Sequence, residues 1–230
     1  MLQIGDRVFE VDKQRSEFSA YIPQEPPGQQ SPGRLSWSLE IRCVDKEDDA
    51  DKEGDLGFST PYLETHDVTF DVRDWRKIEG QTIRNKDVAP WNPVGAGYKP
   101  APMMAWRRAK IAKLNDATLF KQQGPTAYLY TPEPLRTSGD SIFFASRRGN
   151  LFTVEWECSA GVCWDVDHSS DLPLRLNTEL AFNGVHIWWV KADAQGLAIV
   201  KELVGRNFDL ACLEEPQIAG PSHIVFAPRF

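Results

Sequence analysis

Residues 35–43 alternate without a break, with Leu35, Trp37, Leu39, Ile41 and Cys43 set against Ser36, Ser38, Glu40 and Arg42. Successive side chains of a strand point to opposite faces, so this period predicts one buried face and one wet face. A second run, Leu151 to Cys158, has the same β character, and each run enters an acidic stretch. Asp49-Ala-Asp51-Lys-Glu-Gly-Asp55-Leu56 and Asp165-Val-Asp167-His-Ser-Ser-Asp171-Leu172 share one D-x-D-x-x-x-D-L spacing, 116 residues apart. Gly33-x-Leu35 and Gly149-x-Leu151 recur at the same offset. These matches predict a sheet-rich chain in two sequence-related halves. The alignment needs gaps, and an acidic chain also produces such spacings by coincidence, so internal duplication and chance both stay open.

Between these marks the chain alternates strand signals with turn chemistry. Short strands are expected within 2–11 and 18–22, and Pro23, Pro26, Pro27 and Pro32 then exclude a ladder. Val68, Phe70 and Val72 predict another strand over 67–75. Pro90, Pro93 and Pro100, with Gly95 and Gly97, mark a surface loop, and Pro102 suits the first turn of a basic helix over roughly 103–114. In the second half, Arg147-Arg-Gly149-Asn150 between two β runs predicts a hairpin. Leu176 to Val190 reads as a long strand with a bulge or turn at Asn183-Gly184. Asp193 is expected to cap a helix over 194–204 that buries Leu197, Val200, Leu203 and Val204 and is closed by Gly205. Phe208, Leu210 and Cys212 alternate as a strand would, and Ile224 to Phe226 predict the last one.

Composition narrows the function classes. Hydrophobic residues are 41% and charged residues 26% of the 230, which argues for a folded chain over a disordered one. With 33 acidic against 26 basic residues, net charge −7, general nucleic-acid affinity is not expected, because it rests on neutralising phosphates with Lys and Arg. Acidity instead suits a basic protein partner. There is no basic-then-apolar leader and no run of about 20 apolar residues, so neither a signal peptide nor a membrane span is expected. Four scattered cysteines do not form a disulfide scaffold, and the expected location is cytoplasmic.

The residues that can carry chemistry are few. Asp49, Asp51 and Asp55, with Glu53 and Gly54, resemble the start of an EF-hand calcium loop, but position twelve is Thr60 and the preceding element is a predicted strand. Asp165, Asp167 and Asp171 form the matching set, with Ser170 where the glycine belongs. These six aspartates are the candidate metal ligands, for calcium foremost; zinc is the other candidate ion, through Cys158, Cys163 and His168 with Asp165 and Asp167 nearby. The plain alternative is a pair of solvated acidic loops and a cysteine in the core. No nucleophile elbow, zincin helix, P-loop or dinucleotide fingerprint occurs, and His66, His168, His186 and His223 are far apart in sequence.

Eight tryptophans are a high number. Trp188 and Trp189 are adjacent, so a strand cannot send both into one core. An exposed indole with a polar rim is a typical protein anchor, which makes Trp189 a candidate partner contact, together with Trp106, Arg107 and Arg108 of the basic helix. The basic helix can equally pair with the acidic loops or with another subunit.

The expected architecture is therefore an α+β protein, mainly antiparallel β-sheets in two sequence-related halves, with one or two short helices packed on them. Residues 1–98 form the first half, 99–124 the basic helix and connection, and 125–230 the second half. The two halves can share one core. The expected function is a non-catalytic soluble binding protein, inhibitor- or immunity-like, that recognises another and basic protein; a homo-oligomer stays open, and no cofactor is required. The alternative is a divalent-metal-dependent hydrolase or a calcium-dependent carbohydrate binder that uses the paired acidic loops.

Overall fold

The computed structural model describes residues 1–22, 35–44, 60–68, 70, 72–84, 127–130, 134–160 and 172–230, and within them it holds twelve strands and one α-helix. The strands are β1 (Leu2–Ile4), β2 (Arg7–Phe9), β3 (Glu17–Tyr21), β4 (Ser36–Arg42), β5 (Tyr62–Val68), β6 (Thr82–Arg84), β7 (Ala127–Tyr130), β8 (Pro134–Arg148), β9 (Leu151–Ala160) and β10 (Leu172–Ile187), followed after the helix by β11 (Gln217–Gly220) and β12 (His223–Phe226). The helix, α1, spans Ala194–Asn207. The sheet curls until its pairings close: β3 meets β4, β4 meets β5, β5 meets β7, β7 meets β8, β8 meets β9, β9 meets β10, and β10 returns to β3. The closing contact is parallel, Phe182 beside Phe18, so the sheet is mixed.

Two long strands make this closure possible. Along β10, β9 occupies one edge from Leu172 to Ala181, and β12 takes over that edge from Val185. The other edge passes from β1 to β3 in the same interval. The register shifts between Phe182 and Val185, where Gly184 has φ +102°. Bulged strands bend and twist more strongly, and strands that switch sheets at such bends make the corners of a two-layer core. β8 bends likewise between Ser138 and Ser141, at Gly139 with φ +67°.

Both halves of the chain supply one hydrophobic core. At its centre the Phe18 ring lies 5.5 Å from Trp37, 5.1 Å from Phe144 and 5.5 Å from both Phe152 and Phe182, contributions of β4, β8, β9 and β10. Such aromatic contacts add to the area they bury. Trp75 joins them, its ring 5.4 Å from Phe182 and its indole N–H donating to the Cys212 carbonyl at 2.8 Å.

Several local expectations hold. The two-residue turn at Gly149-Asn150 links β8 to β9 with Arg148 beside Leu151. Asp193 caps α1 by accepting from the Gly196 N–H at 2.9 Å. The bulge at Gly184 lies within β10. Other expectations need correction. Ser36 and Ser38 are buried, so the β4 face expected to be wet is covered there; Ser38 Oγ lies 3.1 Å from Ser19 Oγ. The strand expected over 67–75 runs earlier, as β5; the Asp74 carboxylate then accepts from the Arg76 N–H and starts a 3-10 turn at Trp75–Ile78. Leu210–Cys212 is also a 3-10 turn, because Asp209 accepts from the Ala211 N–H. Gly205 does not close α1, which continues to Asn207 and ends with the Phe208 N–H on the Val204 carbonyl. The basic helix expected over 103–114 lies outside the described residues.

Candidate interaction surface

An exposed aromatic cluster lies at the bent end of β10. Beyond Gly184 the strand sends Val185 and Ile187 into the core and His186 outwards. Register places His186 beside Tyr21 of β3 on one side and Val225 of β12 on the other. His223, two residues before Val225, shares that outer face. Trp188 follows, with 51% of its surface exposed. Its ring centroid is 5.3 Å from each of the His186 and His223 rings, at interplanar angles of 20° and 19°, and 6.4 Å from Tyr21.

The two imidazoles are directly joined. His186 Nδ1 lies 3.1 Å from His223 Nε2, and His186 Nε2 lies 3.3 Å from the Asn183 carbonyl. A carbonyl only accepts, so the neutral His186 ring carries its proton on Nε2 and accepts at Nδ1 from the His223 Nε2–H. Burial holds the His186 pKa below the usual histidine value; the neighbouring His223 acts in the same direction and the Asn183 carbonyl against it. Neutral His186 is the form this geometry favours.

Trp189 is half-buried, packs against the core, and donates its indole N–H to the Ile22 carbonyl at 2.7 Å. Trp188, not Trp189, is therefore the exposed indole of the pair. Alternation along a strand separates the two rings without deciding which goes out; the Gly184 bulge fixes that phase. Asp49, Asp51, Asp55, Asp165, Asp167 and Asp171 lie outside the described residues, as do Trp106, Arg107 and Arg108. Among the described residues, no three or more His, Cys, Asp or Glu side chains gather as a metal set.

Cys158, expected as a zinc ligand or a core residue, is buried on β9 with its thiol beside Asp140, and burial pushes its pKa up. The Asp140 carboxylate accepts from the Trp156 indole N–H at 2.8 Å and from the Thr137 hydroxyl at 2.8 Å. This polar knot holds the bend of β8. Elsewhere a groove of about 370 Å³ is lined by Gln3, Val8, Glu155, Glu157, Arg175 and Asn177, and Arg175 and Glu157 face each other at 3.9 Å. Its lining residues are separate from those of the Trp188 patch.

Sequence reasoning missed Tyr21, His186, Trp188 and His223 as a group. The one local signal was His186-x-Trp188 just after the expected bulge, a spacing that puts both side chains on one face of a strand. Tyr21 and His223 join them only through the pairing of β3 and β12 with β10. Compared with known proteins, the chain matches no protein family, no curated protein and no solved structure.

Proposed function

We propose that the protein is a non-catalytic binding protein that docks another protein against the Tyr21–His186–Trp188–His223 face. The observation that carries this reading is Trp188, an indole half open to solvent and held among three other rings. A pre-positioned aromatic loses little conformational freedom on binding and supplies a large contact area, which is why such residues act as anchors. The net charge of −7 supports a basic partner. The test compares wild-type protein and W188A as bait in extract of the native source, at low and at high salt. A basic protein held by the wild type, released by salt and at least about tenfold depleted with W188A is the expected result. Equal recovery by both baits, or none by either, defeats the reading.

A second reading has one supporting observation. Residues 45–59 connect β4 to β5, and 161–171 connect β9 to β10, each pair being antiparallel neighbours. Because β3 and β10 are parallel, the end of β4 beside the start of β3 and the end of β9 beside the start of β10 point the same way. We read the two units as copies, with their aspartates available to a divalent ion in a hydrolase or a calcium-dependent carbohydrate binder. Calcium, magnesium or zinc should then raise the Tm, and D165A/D167A should abolish the rise. A Tm unmoved by all three ions removes this reading.

A further inference from the structure

We infer that His186 and His223 form a bis-imidazole site for one borderline divalent cation, of the Zn2+, Ni2+ or Cu2+ class. The site does not depend on the docking reading above. Three features converge on it. The facing nitrogens, His186 Nδ1 and His223 Nε2, are 3.1 Å apart. Two imidazoles on a tetrahedral zinc, with arms of about 2.0–2.1 Å, hold their nitrogens about 3.3 Å apart, so the nitrogens need part by only a few tenths of an ångström while each ring turns from the shared hydrogen bond to aim at the ion. The pair is thus held near chelating distance.

The second feature is orientation. A ligating histidine commonly gives its other ring N–H to a backbone carbonyl, which fixes the ring and leaves the ligating nitrogen bare. His186 Nε2 has that partner in the Asn183 carbonyl, at 3.3 Å. The third is rigidity. His186 sits on β10 and His223 on β12, and the register of Val185, His186 and Ile187 against Phe226, Val225 and Ile224 sets their spacing. Both rings are partly exposed, so water can complete the coordination. When both rings are neutral, the ion takes the place of the shared hydrogen bond, and the His223 proton moves from Nε2 to Nδ1 with no net change in bound protons. Imidazole ligands select Zn2+, Ni2+ and Cu2+ over Ca2+ and Mg2+, which prefer oxygen.

The test is calorimetric titration of the metal-free protein with Zn2+ and Ni2+, alongside quenching of tryptophan fluorescence by Cu2+. One ion per chain should bind, and excess Ca2+ or Mg2+ should not displace it. H186Q and H223Q should each weaken binding at least about tenfold. Both variants should keep the wild-type circular dichroism spectrum. The quenched fraction should shrink in W188F, which keeps both imidazoles. H168A should bind as the wild type does. Binding unchanged in H186Q and H223Q, lost in H168A, or displaced by Ca2+ would each overturn the site. Should a histidine variant lose its fold, chemical-shift changes confined to the His186 and His223 ring protons on Zn2+ addition to the wild type decide the question, and their absence counts against it.

Discussion

Asp140 shows how one buried side chain ties stability to pH. Only 2% of it is exposed. Burial pushes its pKa above 3.8, against the hydrogen bonds from Thr137 and Trp156 that favour the carboxylate. A carboxyl with a raised folded pKa contributes stability below its unfolded pKa and loses that contribution as pH rises through the folded one. Wild-type unfolding free energy should therefore carry a falling component upward from about pH 3.8 that D140N lacks. Urea titrations across the acid range read the difference; parallel slopes would refute it. D140A should cost about 1–3 kcal/mol, since it leaves the Trp156 indole N–H without its acceptor. Gly184 is constrained twice, by φ +102° and by the Phe226 carbonyl oxygen 2.2 Å from where a Cβ would stand. G184A should thus exceed the roughly 1–2 kcal/mol that left-handed backbone alone costs other residues. The thiols of Cys43 and Cys212 are pushed up to about 12 by burial. Both should resist alkylation at pH 8 until the protein is unfolded, because the thiolate is the reactive form.

At the scale of elements, legibility in the sequence followed the range of the deciding interaction. The β8–β9 hairpin rests on a two-residue turn and α1 on its Asp193 cap, both settled within four residues. D193A should lower the Tm and D193S should restore most of the loss, since a serine oxygen can also accept from the Gly196 N–H. The 3-10 turn at Leu210–Cys212 was hidden, because Phe208, Leu210 and Cys212 alternate as in a strand. There the Asp209 side chain competes with the ladder for backbone N–H groups and wins. Ser36 and Ser38 misled for another reason. Polarity predicts solvent only where nothing packs above; the Ser38 hydroxyl is paired with Ser19, whereas the buried Ser36 Oγ has no hydrogen-bond partner among the described residues.

For the whole molecule, the aromatic core joins what sequence alone divides into halves. F18A should cost about 3–5 kcal/mol, because its ring touches residues of four other strands. With one core, unfolding followed by tryptophan fluorescence and by far-ultraviolet circular dichroism should give coincident transitions, and separated midpoints would show that the halves fold alone. The sequence by itself determined the β-rich character, the hairpin, the capped helix and the bulge in β10, since side-chain period, caps and turn residues act between near neighbours. Only the tertiary structure decided that the sheet closes through a parallel β3–β10 contact, that Trp188 faces out while Trp189 turns in, and that His186 meets His223. Those outcomes depend on bends and registers between strands distant in the chain, where a one-residue shift moves a side chain to the opposite face.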